Sequence, residues 1–316
     1  MKNALLYLIT VLIWGSTWLA IEFQLGEVDP ALSVMYRFVL AAVLMWVWCL
    51  LRKLPMRYSV VDHLFFLGLA CCCFAFNYLI LYWAQQYLTS AMTSIAFSTL
   101  LIMNICNTRL FFGAPIAPRI YLGALVGIVG IVALFWHDVR NLDFSSTAMY
   151  GLALALVGTL IASFGNMISV RNSNRQIGIM QGNAWGMTYG AILLAAYAWM
   201  SGVAFSFSTS PSYLGSLLYL AVFGTVVAFA SYFALLKNIG PERASYAIVL
   251  FPVVAVALGS FYDGFVWYTS TVIGFVLVLF GNVIVLTPTK VLAKCLPRVF
   301  GADKSAKYSR TESLAN

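Results

Sequence analysis

The sequence feature that most constrains the fold is a succession of apolar stretches separated by short polar breaks. Each stretch has about 20 residues, the length of helix that crosses a hydrocarbon core about 30 Å thick. Barrel strands are about half as long, and only helices and closed barrels satisfy their backbone hydrogen bonds within a bilayer. The pattern therefore predicts an all-α membrane protein with ten transmembrane helices, at approximately residues 4–22, 31–51, 64–84, 90–112, 116–136, 147–170, 180–201, 212–236, 243–265 and 268–287.

The composition excludes a soluble protein of this length. Hydrophobic residues make up 62% of the 316 residues and charged residues only 9%, so the surface of a soluble domain would offer too little to water. The first apolar stretch lies close to the start of the chain, but it lacks the small-residue cleavage site of a signal peptide. We therefore expect it to be retained as a transmembrane helix.

The chain contains an internal repeat. Residues 89–134 and 240–285 follow the same plan without a gap, at an offset of 151 that places Gly113, Gly123 and Gly130 on Gly264, Gly274 and Gly281. Five helices per repeat is an odd number, so the second copy enters the membrane from the opposite side and the repeat is inverted. This arrangement points first to a transporter with its substrate near the midplane. The predicted domains are a first repeat at 1–140, a second repeat at 141–287 and a basic cytoplasmic tail at 288–316.

Basic residues are distributed unevenly between the two ends of the predicted helices. With the N-terminus in the cytoplasm, every lysine and arginine except Arg37 and Arg140 falls on the cytoplasmic side, and the positive-inside rule selects this orientation. We therefore predict a multi-pass protein of the cell inner membrane with both termini in the cytoplasm. Because this distribution accounts for most of the net charge of +8, no nucleic-acid partner is expected.

Four motifs carry a resemblance to a known family: WGSTW at 14–18, YRF at 36–38, GPERASYAIVLFPVVAVALG at 240–259, and G-x6-G at 123–130 and 274–281. Together they resemble the EamA-type family of the drug/metabolite transporter superfamily, whose members carry two such five-helix repeats. The resemblance covers roughly residues 1–287. It implies export of amino acids, related metabolites or drug-like amphiphiles, and it places the first helix at the cavity. Pro252 matches a mid-span proline of the ninth helix, whereas Leu101 stands at the corresponding position of the fourth.

Aromatic and polar side chains at membrane depth are the candidate substrate-binding residues. Trp14 and Trp18 are four residues apart, so they share one helix face with Thr17, and an aromatic wall of this kind can stack a planar solute. Each buried polar group must meet a hydrogen-bond partner or water, so as a set they predict a wet or ligand-filled cavity. Taken singly, each polar residue is better explained by hydrogen bonds between helices. The predicted substrate-binding residues are Trp14, Thr17, Trp18, Asn77, Tyr78, Tyr82, Ser94, Ser98, Asn166, Tyr189, Tyr232 and Tyr246.

Two charges and one proline are candidate gate or hinge residues. Glu22 and Arg37 are embedded near the outer ends of the first two helices. Because an intramembrane charge is costly unless partnered, we predict that they pair in an outer gate, with direct contact between Arg37 and the solute as the alternative. Pro252 removes a backbone hydrogen bond in the middle of the ninth helix, which predicts a hinge or a cavity-lining carbonyl.

The predicted function is secondary-active or facilitative transport of a small organic solute by alternating access. A nucleotide-sugar or nucleobase-type carrier of the same superfamily is an alternative, but it needs cationic groups in the cavity and only Arg37 is near. A membrane-embedded enzyme acting on a lipid-like substrate is an alternative of a different class, and it needs clustered catalytic groups near one face. A channel or receptor is disfavoured by the inverted repeat.

No cofactor, metal or catalytic residue is predicted. His63 and His137 fall at opposite membrane faces, and no cluster of histidine, cysteine or acidic residues has metal-ligand spacing. The neighbouring cysteines Cys71 to Cys73 point in different directions on a helix, so they are interpreted as packing residues. The expected partners are the solute and the lipid bilayer, and the expected state is a monomer or a homodimer.

Overall fold

The structure, a computed structural model, describes residues 2–113, 117–134, 136, 147–262 and 267–287. Its regular elements within these ranges are helices. Two of them contain π-helical turns, at Ala70–Ala75 in α3 and Tyr219–Val227 in α8, and helical backbone joins α8 to α9. The helices are α1 Lys2–Glu22, α2 Pro30–Leu51, α3 Val60–Gln85, α4 Ser90–Phe112, α5 Pro118–Leu134, α6 Thr147–Asn174, α7 Ile179–Met200, α8 Pro211–Tyr232, α9 Leu250–Tyr262 and α10 Thr269–Leu286.

The all-helical membrane class predicted from the sequence is confirmed. Within the described ranges, six helices are long and apolar enough to cross a bilayer, namely α1, α2, α3, α4, α6 and α8. Shorter apolar helices lie at Arg119–Leu134, Leu250–Tyr262 and Thr269–Val285. Large apolar side chains such as Leu51, Trp199 and Phe261 face outward, where a soluble protein would present polar groups. The count of ten transmembrane helices stays a prediction.

Side-chain caps define where several helices begin. Asp29 precedes Pro30, and its Oδ1 accepts a hydrogen bond from the backbone N–H of Ala31 at 2.8 Å. Ser210 precedes Pro211 in the same way and accepts from the N–H of Tyr213 at 3.3 Å. A short polar side chain satisfies an N–H that the first turn leaves without a partner, and proline is tolerated there because its missing N–H is not needed. The polar residues Asp29 and Ser210 therefore fix where α2 and α8 begin.

The chain turns back on itself between α8 and α9. The rings of Tyr232 and Phe251 both contact Trp14, at centroid distances of 5.1 and 5.4 Å. A straight helix would separate these two residues by about 28 Å along its axis. Asn238 donates a hydrogen bond to Asn3 near the start of α1 at 2.8 Å, so the chain leaves α8 toward the start of α1 and returns along it as α9. The stretches predicted at 212–236 and 243–265 therefore run antiparallel to each other.

The interruption of α4 falls at Ser98 and Thr99. The Ser98 hydroxyl donates to the carbonyl of Ile95 at 2.6 Å, and the Thr99 hydroxyl donates to the carbonyl of Ala96 at 2.8 Å. Hydroxyls that bond back to the preceding turn compete with the backbone ladder and bend helices. By contrast, the α9 helix, Leu250–Tyr262, continues through Pro252.

The helices α5 and α10 pack through glycines that allow their backbones to touch. A methyl group added to Gly123 would lie 2.6 Å from the carbonyl oxygen of Gly281, and one added to Gly130 would lie 2.9 Å from that of Gly274. Contacts of 123 with 281 and of 130 with 274 require the two helices to run antiparallel. Small residues at such positions let the two backbones approach closely. The resulting van der Waals packing stabilises helix association in lipid, where no hydrophobic driving force acts between helices.

The first testable prediction concerns this glycine contact. Gly274→Ala should lower the free energy of unfolding by about 1–3 kcal/mol, because the new methyl group would lie 2.6 Å from the carbonyl oxygen of Gly130. Gly215→Ala is the matched control, since a methyl group at exposed Gly215 meets nothing within 4 Å and alanine favours a helix. Thermal unfolding of the two purified variants measures the difference. Equal midpoints would show that α5 and α10 do not pack backbone to backbone.

Candidate functional site

A cavity of about 390 Å³ lies inside the helical bundle. Its wall contains eight of the residues predicted from the sequence, from α1, α2, α3, α6 and α8: Trp14, Thr17, Trp18, Arg37, Asn77, Tyr78, Asn166 and Tyr232. The other lining residues are Ile21, Leu69, Cys73, Phe74, Leu81, Phe97, Leu100, Asn104, Thr108, Ala162, Met167, Ser169, Val170, Asn183, Phe229 and Phe251. Helices from both halves of the sequence therefore enclose the cavity.

Trp14 is the centre of an aromatic cluster at the cavity wall. Its ring lies 5.2 Å from Phe229, 5.1 Å from Tyr232 and 5.4 Å from Phe251, in edge-on or tilted contacts. Its Nε1 donates a hydrogen bond to the carbonyl of Gly224 at 3.1 Å. Edge-on and tilted arrangements are favourable for aromatic pairs, and the N–H bond orients the indole. These contacts form a rigid apolar wall that can receive a flat or hydrophobic group.

The small residues of the WGSTW motif bring α1 close to its neighbours. A methyl group on Gly15 would lie 2.8 Å from Cγ1 of Val254, so α9 packs directly on α1. The Thr17 hydroxyl donates to the carbonyl of Trp14 at 2.7 Å, and the Trp18 ring lies 5.2 Å from Phe97 of α4. Trp14, Thr17 and Trp18, which the sequence places on one helix face, therefore all line the cavity wall.

A polar network joins α4 and α6 beside the cavity. Asn104 Oδ1 accepts hydrogen bonds from the Ser163 hydroxyl at 2.8 Å and from Asn166 Nδ2 at 3.1 Å. Asn107 Nδ2 in turn donates to the Ser163 hydroxyl at 2.8 Å. These bonds satisfy buried polar groups between two helices, as expected for an apolar environment. Asn104 and Asn166 also line the cavity. These two residues therefore both link helices by hydrogen bonds and present polar groups to the cavity.

Arg37 is the charged residue of the described wall. It is 1% exposed, its Nε donates to the Thr225 hydroxyl at 3.2 Å, and its Cζ lies 4.7 Å from the ring centroid of Tyr78. The Thr225 hydroxyl is itself held by the carbonyl of Leu220 at 2.9 Å, across the wide turn of the π-helical segment. The guanidinium is therefore positioned by a hydroxyl and an aromatic face.

Glu22 lies at the end of α1 next to the cavity and contacts α3. Gln85 Nε2 donates to Glu22 Oε1 at 2.6 Å and to the carbonyl of Trp18 at 3.0 Å. Gln85 thus reaches the Glu22 carboxylate, while the Thr225 hydroxyl accepts from Arg37 Nε. The pairing of Glu22 with Arg37 in an outer gate stays a prediction. The Gln85 amide therefore links α3 to the end of α1.

Other predicted site residues lie away from the cavity wall. The fully buried Tyr82 donates its hydroxyl to Gln24 Oε1 at 2.9 Å, and the Tyr189 hydroxyl lies 2.8 Å from His63 Nδ1 in a separate aromatic cluster. Ser94 is buried and Ser98 serves the break in α4. Pro252 is buried in α9 outside the wall, and the Tyr246 side chain lies outside the described residues.

Sequence reasoning missed the partners of the aromatic wall. Phe229 is three residues before Tyr232, so the helical period alone places it on the same face of α8. Phe251 and Phe97 come from α9 and α4, and their proximity to α1 follows from the packing of distant segments. Of the polar wall residues, Thr108 is held within its own helix, because its hydroxyl donates to the carbonyl of Asn104 at 2.7 Å.

A model of a known protein family matches most of the chain. The EamA-like transporter family matches residues 1–136 and 149–287. The chain is 28% identical over 275 residues to the uncharacterized inner membrane transporter YedA of Escherichia coli K12, covering 85% of this chain and 87% of that protein. It is 25% identical over 261 residues to the uncharacterized transporter YoaV of Bacillus subtilis, covering 82% and 88% respectively.

A solved crystal structure shares the fold at low sequence identity. The two chains are 16% identical and superpose with a TM-score of 0.65 over 90% of this chain and 96% of the other. At this identity the likeness concerns the path of the chain and carries nothing about a solute.

Proposed function

The chain belongs to the EamA-like transporter family, and we propose that this multi-pass membrane transporter moves a small organic solute through the cavity beside Trp14. The observation that carries the proposal is the cavity itself. Its volume of about 390 Å³ falls in the range of small-molecule sites, and its wall combines mostly apolar and aromatic surface with a few polar groups, as such sites do. The names of its relatives favour transport over catalysis.

The proposed mechanism is alternating access between two inverted five-helix repeats. The offset of 151 relates Gly123 to Gly274 and Gly130 to Gly281. The observed cross contacts, 123 with 281 and 130 with 274, are those that a two-fold axis in the membrane plane would produce. The π-helical turns in α3 and α8 also fall in the third helix of each half. These correspondences support ten transmembrane helices in two repeats, whose exchange of conformation would open the cavity to each side in turn.

The distribution of wall residues supports a cavity that extends toward the cytoplasmic side. Thr108, Ser169 and Val170 line one end and lie within two residues of Arg109 and Arg171, which the positive-inside rule assigns to the cytoplasm. Trp18 and Ile21 line the opposite end, next to the contact between Gln85 and Trp18. The proposed state is therefore closed toward the outside, with Glu22 and Gln85 at the closure.

A flux measurement tests the proposed function. The purified full chain is reconstituted into liposomes loaded with a mixture of amino acids, organic acids, nucleosides, nucleotide sugars and amphiphilic amines. Mass spectrometry then follows the loss of each compound from the lumen. We expect at least one compound to leave faster than from protein-free liposomes, and equal rates for every compound would contradict the proposal.

The orientation of the chain gives a second testable prediction. A tag at the C-terminus should resist protease added to intact cells, because the basic residues place this end in the cytoplasm. The same tag inserted after Asn141, in the predicted outer loop, should be cleaved under the same conditions. Immunoblots with both tags measure the outcome, and cleavage of the C-terminal tag alone would reverse the topology.

A further inference from the structure

The buried charge in the cavity wall has no described acidic partner. Arg37 is 1% exposed and is the charged side chain among the described lining residues, none of which is acidic. Its contacts include the Thr225 hydroxyl, the rings of Phe38 and Tyr78 and the hydroxyls of Tyr78 and Tyr82. Its Nη1 has no hydrogen-bond partner among the residues that the structure describes. Arginine does not deprotonate in proteins, so the charge persists.

A guanidinium in this position favours an anion. Burying a charge without a counter-ion is strongly unfavourable, and neutral hydroxyls and aromatic faces offset only part of that cost. The planar group with paired N–H donors matches the geometry of a carboxylate. An anionic group that enters the cavity would supply what the wall lacks, whereas a cation would be repelled.

Two amides of the same wall also have polar atoms without partners in the described part of the chain. They are Asn77 Oδ1 in α3 and Asn183 Nδ2 in α7, and both side chains are more than nine-tenths buried. Buried polar groups are normally hydrogen-bonded, so such atoms in a cavity wall indicate a ligand or water that completes them. One offers an acceptor and the other a donor, which suits a solute with polar groups at one end.

The charged and aromatic parts of the wall are held by adjacent residues of α8. The carbonyl of Gly224 accepts from Trp14 Nε1 at 3.1 Å, and the hydroxyl of Thr225 accepts from Arg37 Nε at 3.2 Å. A methyl group added to Gly224 would lie 3.6 Å from Arg37 Nη2 and 2.8 Å from Cγ2 of Thr17. The two ends of the site are therefore close enough for one small molecule to reach both.

We propose that the solute is a small organic carboxylate, bound with its carboxylate at Arg37 and its apolar or aromatic body against Trp14. This inference rests on the proposed transport function and narrows its substrate class. It separates the chain from carriers of amphiphilic cations, since a cationic head would meet Arg37. Simple organic acids and zwitterionic amino acids share the required group, and the experiment distinguishes them.

The test is a binding series on the wild-type protein in which only the head group changes. Tryptophan fluorescence and thermal stability are followed with 3-phenylpropanoate, 3-phenylpropanamide, 2-phenylethylamine and L-phenylalanine. We expect 3-phenylpropanoate to bind at least about tenfold more tightly than the amide, because the amide keeps one acceptor oxygen but lacks the negative charge and the second acceptor oxygen that a guanidinium binds. We expect the amine not to bind. Binding of L-phenylalanine as tight as that of the acid assigns amino acids, and its absence assigns simple acids.

Variants locate the effect at Arg37. Arg37→Gln should abolish the preference for the acid over the amide, whereas Arg37→Lys should keep a preference because it keeps the charge. The exposed Arg175 provides the matched control, and Arg175→Gln should leave the series unchanged. If Arg37→Gln does not fold, the wild-type series and Arg37→Lys still decide the question.

The outcomes separate this inference from the proposed function. Equal binding of acid and amide, tighter binding of the amine, or binding of neither carboxylate would overturn the carboxylate assignment. Transport of a neutral or cationic solute that 3-phenylpropanoate fails to inhibit would overturn it while leaving the transport function intact. Tight, Arg37-dependent binding of the acid without flux of any compound would support the site and contradict transport.

Discussion

Trp14→Ala should reduce solute flux through the reconstituted protein to about a tenth of the wild-type rate or less. Trp14 contacts Phe229, Tyr232 and Phe251 at 5.1 to 5.4 Å and bonds to the carbonyl of Gly224. Replacing a fully buried tryptophan by alanine costs about 3–5 kcal/mol, and Trp14, which is partly buried, loses a share of that packing. Here that loss falls on the wall that receives the solute, so binding should weaken even where the bundle stays folded. Initial rates of flux over a range of solute concentrations measure the effect.

Two further tryptophan variants separate the cavity from the rest of the protein. Trp199 is 77% exposed at the end of α7, so Trp199→Ala should transport at the wild-type rate. Trp14→Phe keeps a ring but loses the donor to Gly224, a hydrogen bond worth about 0.5–1.5 kcal/mol, and should be intermediate. An unchanged apparent affinity in Trp14→Ala would remove Trp14 from the solute site.

The helices and one face of the site could be predicted because their signals are local. Apolar length locates helices within a few residues, and helical periodicity alone places Trp14, Thr17 and Trp18 on one face. The structure confirms that the chain is built from apolar helices, and it brings these three residues to the cavity wall. Neither inference needs knowledge of any distant segment.

The remainder of the site depends on rotations and contacts that one sequence does not encode locally. Tyr189 and Tyr232 are the same residue type at membrane depth, yet Tyr189 lies beside His63 while Tyr232 lies beside Trp14. The difference comes from which face of α7 and of α8 packs inward. With aromatic residues making up 16% of the chain, residue type alone cannot select the few that meet in the cavity.

The break in α4 shows that a helix can be interrupted where the sequence contains no proline. Proline is the expected helix breaker, yet the helix continues through Pro252, while α4 is interrupted at Ser98 and Thr99. Two adjacent hydroxyls that bond to the preceding turn disturb the ladder without a proline. Ser98 was predicted at the substrate site on polarity, but its hydroxyl is used by Ile95. Polarity marks a residue that needs a partner, and the backbone can be that partner.

Ala162→Trp should abolish flux while Ala153→Trp should not, and this comparison tests the cavity most directly. Both alanines lie on α6, but Ala162 lines the cavity and Ala153 is exposed. Nine residues along a helix correspond to a rotation of about 180°, so the same substitution is directed to opposite faces. An indole placed in a cavity of about 390 Å³ would occupy space that the solute needs.

Overpacking in Ala162→Trp also lowers the free energy of unfolding, by about 1–3 kcal/mol, so the thermal unfolding of both variants is measured beside the flux. The smaller Ala162→Leu provides a graded step with less strain. We expect flux to fall in the order alanine, leucine, tryptophan at position 162 while the protein remains folded. A folded Ala162→Trp protein with wild-type flux would mean that the solute passes elsewhere, and equal loss in Ala153→Trp would assign the effect to lipid contacts of α6.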